Sequence, residues 1–271
     1  MPPRERPSAR LIISPPVSRS VSSLLTFHDE SLNVWTHALG CAWFGRRLIA
    51  LPSTPTPAPL LPERLSVGLF LFCATMCLGM SALAHLAGPH LTSRRSFELI
   101  WQLDSFGIVG AIIGSFVSGL VCGMRCVPTL RLGYLIFVGA LLGGVTLIVA
   151  AGDRVADLTR FRALAASVVF GLVPFFHWLS IAPADLLAAL APGVWRTFLL
   201  YGAGYAYFSS LTPAPITPAR ALGGSHVAWH VLVVAGLREW AEVCRQMLAQ
   251  EAVGCDAWNT TRWGATRGIQ P

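Results

Sequence analysis

The sequence predicts an all-α protein, a polytopic bundle of seven transmembrane helices with a cytosolic N-terminus. Three observations carry the helical membrane bundle. Of 271 residues, 54% are apolar and only 12% charged, about half the charge of an ordinary soluble domain. Mean hydropathy is +0.60. The apolar residues also fall into separate runs, each close to the roughly 20 residues that cross a bilayer core as a helix. A chain so poor in charge cannot cover a soluble surface, which argues against a cytosolic enzyme, a disordered protein or a soluble secreted domain.

Residues 1–31 are polar and rich in Pro and Arg, and are expected to form a short disordered cytosolic tail. Seven apolar segments follow within a membrane domain at 32–241: 32–52, 65–88, 97–121, 130–151, 163–182, 194–211 and 222–241. The first contains Arg46 and Arg47 near its far end, where they can snorkel to the headgroups. The segments are joined by short polar or Pro/Gly/Thr-rich connections, including Ala182–Gly193 and Thr212–Gly224. The seventh turns charged from Arg238 onward. Residues 242–271 are therefore expected to form an amphipathic extension and tail.

All 20 basic residues are Arg. Without Lys no retinal Schiff base can form. The arginines lie between apolar runs and not in one cluster, so nucleic acid is not an expected partner. Loops on the N-terminal side carry twice as many arginines as those opposite, but arginines near the span ends even the balance. The sequon Asn259-Thr260-Thr261 is compatible with an outside C-terminus. Seven cysteines are scattered; the pairs Cys73/Cys77 and Cys122/Cys126 are expected to be small apolar fillers, and the absence of CxxC gives no support to a zinc ribbon.

Polar residues inside membrane spans are costly and mark functional candidates. Asn33 and His37 open the first span, Ser81 and His85 close the second, Asp104 lies two turns into the third, and His226 and His230 open the seventh. Alternating span directions bring all of them to the N-terminal side of the membrane. The i,i+4 spacing puts His226 and His230 on one helix face, about 5–6 Å apart at Cβ. With His85 they make three imidazole ligands, the open arrangement of a catalytic Zn2+. Asp104 and Ser81 are the expected catalytic side chains beside it. His37 is expected to brace the site with Asn33, His177 to be a packing residue, and His28 and His90 to be solvated. A haem is a poor fit, because histidines on one helix face cannot reach its two sides and only His85 would remain as a partner.

The segment His28-Asp29-Glu30-Ser31-Leu32-Asn33-Val34-Trp35-Thr36-His37 resembles the entry motif HxExxNxWTH of the progestin and adipoQ receptor family, which includes adiponectin receptors and hemolysin III relatives. Ser81 to His85 is similar to the family's SxxxH, Asp104 matches its following aspartate, and Ser225 to His230 resembles its terminal SHxxxH. Val227 stands where many members have Gln, and only Pro218 and Arg220 remain of an acidic-aromatic stretch before the last span.

The resemblance implies a cytosolic N-terminus and zinc held by His85, His226 and His230 near the inner face, with Ser81 and Asp104 beside the metal-bound water. It also implies a receptor-like protein of lipid signalling with lipid amide hydrolase activity of the ceramide type. Its expected partners are a membrane lipid or lipid amide and an extracellular or lipid ligand. The alternative is a non-enzymatic receptor or scaffold with a structural zinc.

Overall fold

The computed structural model describes residues 30–53, 61–210 and 224–250 together with Cys255 and Trp258. Among these, every long element is helical: α1 (Ser31–Ala50), α2 (Leu61–Ala87), α3 (Arg94–Gly123), α4 (Pro128–Ala150), α5 (Asp157–Phe170), α6 (Leu172–Ile181), α7 (Ala184–Ser210) and α8 (Gly224–Gln250). The expected tail to residue 29, His28 and the sequon lie outside the described residues.

Local chemistry sets several of these boundaries. Ser93 caps α3 by accepting the Ser96 amide at 3.5 Å, and Pro128 opens α4, where its missing N–H costs nothing. Hydroxyls inside the spans bond back to their own helices: Thr75 donates to the Leu71 carbonyl at 2.7 Å and Thr146 to that of Leu142 at 2.7 Å. Such bonds satisfy polar groups that lipid cannot.

Two expectations about the spans need correction. The fifth is not one straight helix but two, α5 and α6, broken at Gly171. A Cβ there would stand 2.4 Å from the Phe116 ring, and Pro174 removes a backbone donor from the next turn. Together α5 and α6 still make one membrane-length segment. The sixth begins at Ala184, ten residues before the expected start, because Ala and Leu favour a helix across the presumed connection. Pro192 sits inside that helix, whose buried Leu190 and Val194 pack into the core.

Among the described residues, five segments are long and apolar enough to cross a membrane: α2, α3, α4, α5 with α6, and α7. The remaining two spans, α1 and α8, fall short through Arg46 and Arg47 in one and the Arg238–Glu242 stretch in the other. Both arginines of α1 are exposed. The Arg47 guanidinium lies 4.9 Å above the Trp43 ring and that of Arg238 lies 5.7 Å from the same ring. The arginines thus rest on an aromatic face, as snorkelling residues do.

The tightest helix pair is α2 with α3. A Cβ on Gly107 would come within 2.9 Å of the Cys77 Cα, and one on Gly114 within 2.9 Å of the Phe70 Cα. Two glycines a heptad apart thus let the backbones meet, in the manner of small residues at membrane helix interfaces. α8 closes the bundle by packing on α7, α1, α3 and α2. Its Trp240 Nε1 donates to the fully buried Ser118 Oγ of α3 at 3.1 Å.

The filler reading of Cys126 is also corrected, since it forms a disulfide with Cys255 across 129 residues of sequence. Cys126 follows the end of α3, outside the apolar run, and the fold alone brings its partner near. Cys77 and Cys122 are buried as expected, and Cys73 is half-buried. His177 is a packing residue whose Nδ1 meets Tyr134 Oη at 2.8 Å. His90 ends a short 3₁₀ turn and is half-buried.

Gly107→Val should lower thermal stability in detergent by about 1–3 kcal/mol through overpacking against α2. Gly110→Val adds the same side chain where a Cβ meets nothing within 4 Å and should change it much less. Equal melting shifts in the two variants would refute the close-approach account.

Candidate metal centre

The centre is assembled from three helices and the residue before α1. α2 supplies Ser81 and His85 near its C-terminal end, and α8 supplies His226 and His230 in its first turns. α1 brings Asn33 and His37. Antiparallel α2 and parallel α1 and α8 bring these to one level, the arrangement expected from alternating span directions.

The three imidazoles converge through one type of atom. His226 Nε2 lies 3.2 Å from His85 Nε2 and 3.0 Å from His230 Nε2. The ligand atoms of all three residues lie within 4.8 Å of one another, and His85 and His230 are buried. The opposite ring nitrogens of two of them face acceptors. His85 Nδ1 meets Glu30 Oε2 at 2.7 Å, and His230 Nδ1 faces the Asn33 carbonyl at 3.4 Å. A neutral imidazole carries one N–H, so these partners assign the proton to Nδ1 and leave Nε2 as a lone pair. Lone pairs at His85 and His230 therefore both point at the Nε2 of His226. One proton on His226 can serve only one of them at a time.

A cation serves all three. Zinc with Zn–N bonds of about 2.0–2.1 Å in a tetrahedral shell separates its ligand atoms by about 3.3 Å, close to the two distances found here. The residues present fit a metal ion held by three neutral imidazoles.

Glu30 is the centre's functional residue that sequence reasoning left without a role. Burial opposes ionisation of its carboxyl, but hydrogen bonds from His85 and Asn33 outweigh that and hold it down at about 2. Asn33 Nδ2 donates to the same Oε2 at 2.7 Å. This is the carboxylate–histidine arrangement that orients metal ligands and raises their basicity. The available signal was an acid three residues before Asn33, inside the motif that opens the first span. Asn33 braces the site through both its side chain and its carbonyl. His37 stacks on His230 with ring centroids 3.7 Å apart and an interplanar angle of 11°.

A cavity of about 1210 Å³ begins at this centre. Ser81, Asp104, His37, His226 and His230 line one end, and Trp178, Met124 and Met247 line the other. Asp104 sits one turn before Gly107, and Ser81 one turn after the Cys77 that Gly107 touches, so the α2–α3 contact sets the two at one level. Charged Arg94, Glu98, Asp157 and Arg160 also line the cavity, and these lie on the first turns of α3 and α5, towards the histidine end. Between the ends the wall is mainly apolar and aromatic. The volume exceeds the usual range for small-molecule pockets, about 300–1,000 Å³.

A helical bundle with a three-histidine centre at one membrane level defines a class of heptahelical membrane proteins, and comparison with known proteins agrees. The model of the family described as haemolysin-III related matches residues 25–239. The chain is 35% identical over 176 residues to the heptahelical transmembrane protein ADIPOR2 of Oryza sativa subsp. japonica, covering 62% of this chain and 75% of the relative. It is 30% identical over 227 residues to the adiponectin receptor protein of Drosophila melanogaster, covering 79% and 49%. It is 27% identical over 229 residues to progestin and adipoQ receptor-like protein 1 of Caenorhabditis elegans, covering 81% and 52%. The chain thus spans about half the length of the fly and worm relatives. It belongs to the haemolysin-III-related family and is a receptor-like, multi-pass integral membrane protein. The resemblance read from its four motifs is borne out.

Replacing His226 and His230 together with Ala should abolish metal content in the purified protein; retention of stoichiometric metal would refute the three-histidine centre. Glu30→Ala should weaken metal binding by about 10–100-fold in chelator competition, with an unchanged competition curve removing Glu30 from the centre.

Proposed function

We propose that the chain is a zinc-dependent hydrolase of lipid amides within a receptor-like scaffold. The observation that supports this most directly is the convergence of three imidazole Nε2 atoms at the polar end of a long apolar cavity. His85, His226 and His230 would hold the metal, with Glu30 and the Asn33 carbonyl keeping two of the rings in the ligating tautomer. When bound, zinc supplies Lewis-acid polarisation of a carbonyl and acidifies water towards about pKa 7.

The chain's own residues do the remainder. The apolar wall takes the acyl tail and excludes water from it. Ser81, buried at the cavity end, orients the reacting carbonyl by donating its hydroxyl hydrogen. Asp104 accepts a proton from the attacking water and delivers it to the amide nitrogen as the C–N bond breaks, so that amide and water become carboxylic acid and amine. Amides of the ceramide type suit this division into a polar head and long chains. The alternative, a non-enzymatic receptor or scaffold with a structural zinc, uses the same three ligands but gives Asp104 no reason to share the cavity with them.

The proposed orientation places the N-terminus and the histidine centre towards the cytosol. Cys126–Cys255 supports it. The disulfide follows the C-terminal ends of α3 and α8, away from the histidines, and such bonds persist in oxidising compartments.

Asp104→Asn should retain zinc and fold yet lose turnover of lipid amides by about 10²–10⁴-fold, whereas His85→Ala should lose metal and activity together. Equal turnover in wild type and Asp104→Asn would remove the aspartate from the mechanism. For the orientation, an epitope after Gln270 should be accessible on sealed right-side-out membranes and one before Arg4 shielded; the reverse labelling would overturn it.

A further inference from the structure

His37 has more to do than brace the centre. Its side chain is buried, at 4% exposure, yet it lines the cavity beside Ser81 and His230. Stacking on His230 uses the face of the ring and leaves the nitrogens at its edge. Among the described residues, neither Nδ1 nor Nε2 meets a partner in hydrogen-bond geometry; the His230 backbone is near but outside it. A buried polar group without a partner is expensive. The neighbouring polar side chains are better satisfied: Asn33 leaves its Oδ1 without a partner but donates from Nδ2 to Glu30, and His85 and His230 each face an acceptor, whereas both nitrogens of His37 are unmet. A Phe at position 37 would keep the stack without the cost, so stacking alone does not account for an imidazole.

We infer that His37 is a ligand-binding residue, whose ring nitrogens hydrogen-bond a hydroxyl on the head of a lipid seated with its amide at the histidine centre. A hydroxyl both donates and accepts, so it matches His37 in either neutral tautomer. The amide itself is directed to the metal, Ser81 and Asp104, which leaves a second polar group on the head to meet His37. The residue thereby selects hydroxylated lipid amides over amides with a purely hydrocarbon head. The selectivity follows a general asymmetry: a site built to hydrogen-bond a hydroxyl discriminates strongly against a ligand lacking it, because its own polar group then stays unpaired. This inference rests on reading the cavity as a lipid-amide site.

The test uses the full chain in nanodiscs, with two fluorescent probes: a long-chain N-acyl amino alcohol and its deoxy analogue. Wild type should bind the hydroxylated probe about tenfold more tightly, the scale of one buried hydrogen bond. His37→Phe keeps an aromatic ring for the stack and removes both nitrogens. It should bind both probes with equal, weaker affinity while keeping full zinc content. His37→Leu should do the same, and His37→Gln, which restores a donor and an acceptor, should recover part of the preference.

A preference that persists in His37→Phe and His37→Leu, or that wild type lacks, would overturn the assignment. So would loss of the preference only together with loss of zinc, which would make the ring a support for His230. Failure of hydrolysis is a separate outcome: wild type that prefers the hydroxylated probe but turns over neither would sink the amidohydrolase reading and leave His37 as the head-binding residue.

Discussion

Two imidazole lone pairs point at the Nε2 of a third histidine inside a membrane bundle, and its one proton cannot satisfy both, whereas a cation satisfies all three. Much of the structure around the centre follows from holding them there. Glu30 reaches back from the start of α1 to His85 on α2, and the Asn33 carbonyl faces His230 on α8. α1 therefore touches both ligand-bearing helices through polar groups. His37 then covers one face of His230. Each contact limits a rotation that would let a ring turn its lone pair away from the others.

The helices that carry most of these groups are also the least apolar. Neither α1 nor α8 reaches the hydropathy of a self-sufficient membrane span. Their polar ends are sheltered by packing, with α8 set among α1, α2, α3 and α7. Trp240 and Ser118 tie α8 to α3 some ten residues beyond His230, about 15 Å along the helix axis. An anchor at that distance fixes the register of α8 without placing a competing polar group beside the centre. On the other side of the centre, Gly107 and Gly114 bring α3 against α2, and that approach sets Asp104 level with Ser81.

The cavity divides the molecule chemically along the membrane normal. One end holds most of the polar side chains that face inward, with charged residues from α3 and α5 beyond them, and the opposite end is lined by Trp178, Met124 and Met247. The Cys126–Cys255 disulfide follows the α3 and α8 ends that border this apolar end. A ligand with a polar head and a long apolar tail matches that gradient in a single orientation, with its head at the histidines.

The sequence by itself determined the class of fold and the level of the site. Membrane spans are dictated by run length and apolarity, and i,i+4 spacing fixes which side chains share a helix face, so His85, His226, His230, Ser81 and Asp104 could be set at one depth from local patterns. It could not show the break at Gly171, whose cause is a Phe116 ring on another helix, nor the early start of α7, where Leu190 and Val194 are held by the core. The cysteine bridge and the role of Glu30 were decided only by the tertiary structure. Cys126 and Cys255 are 129 residues apart and Glu30 and His85 are 55 apart, and no periodicity along a single helix records contacts between helices. The same holds for His37: its position in a helix was legible, but the unpartnered state of its ring depends on every neighbour that the fold places around it.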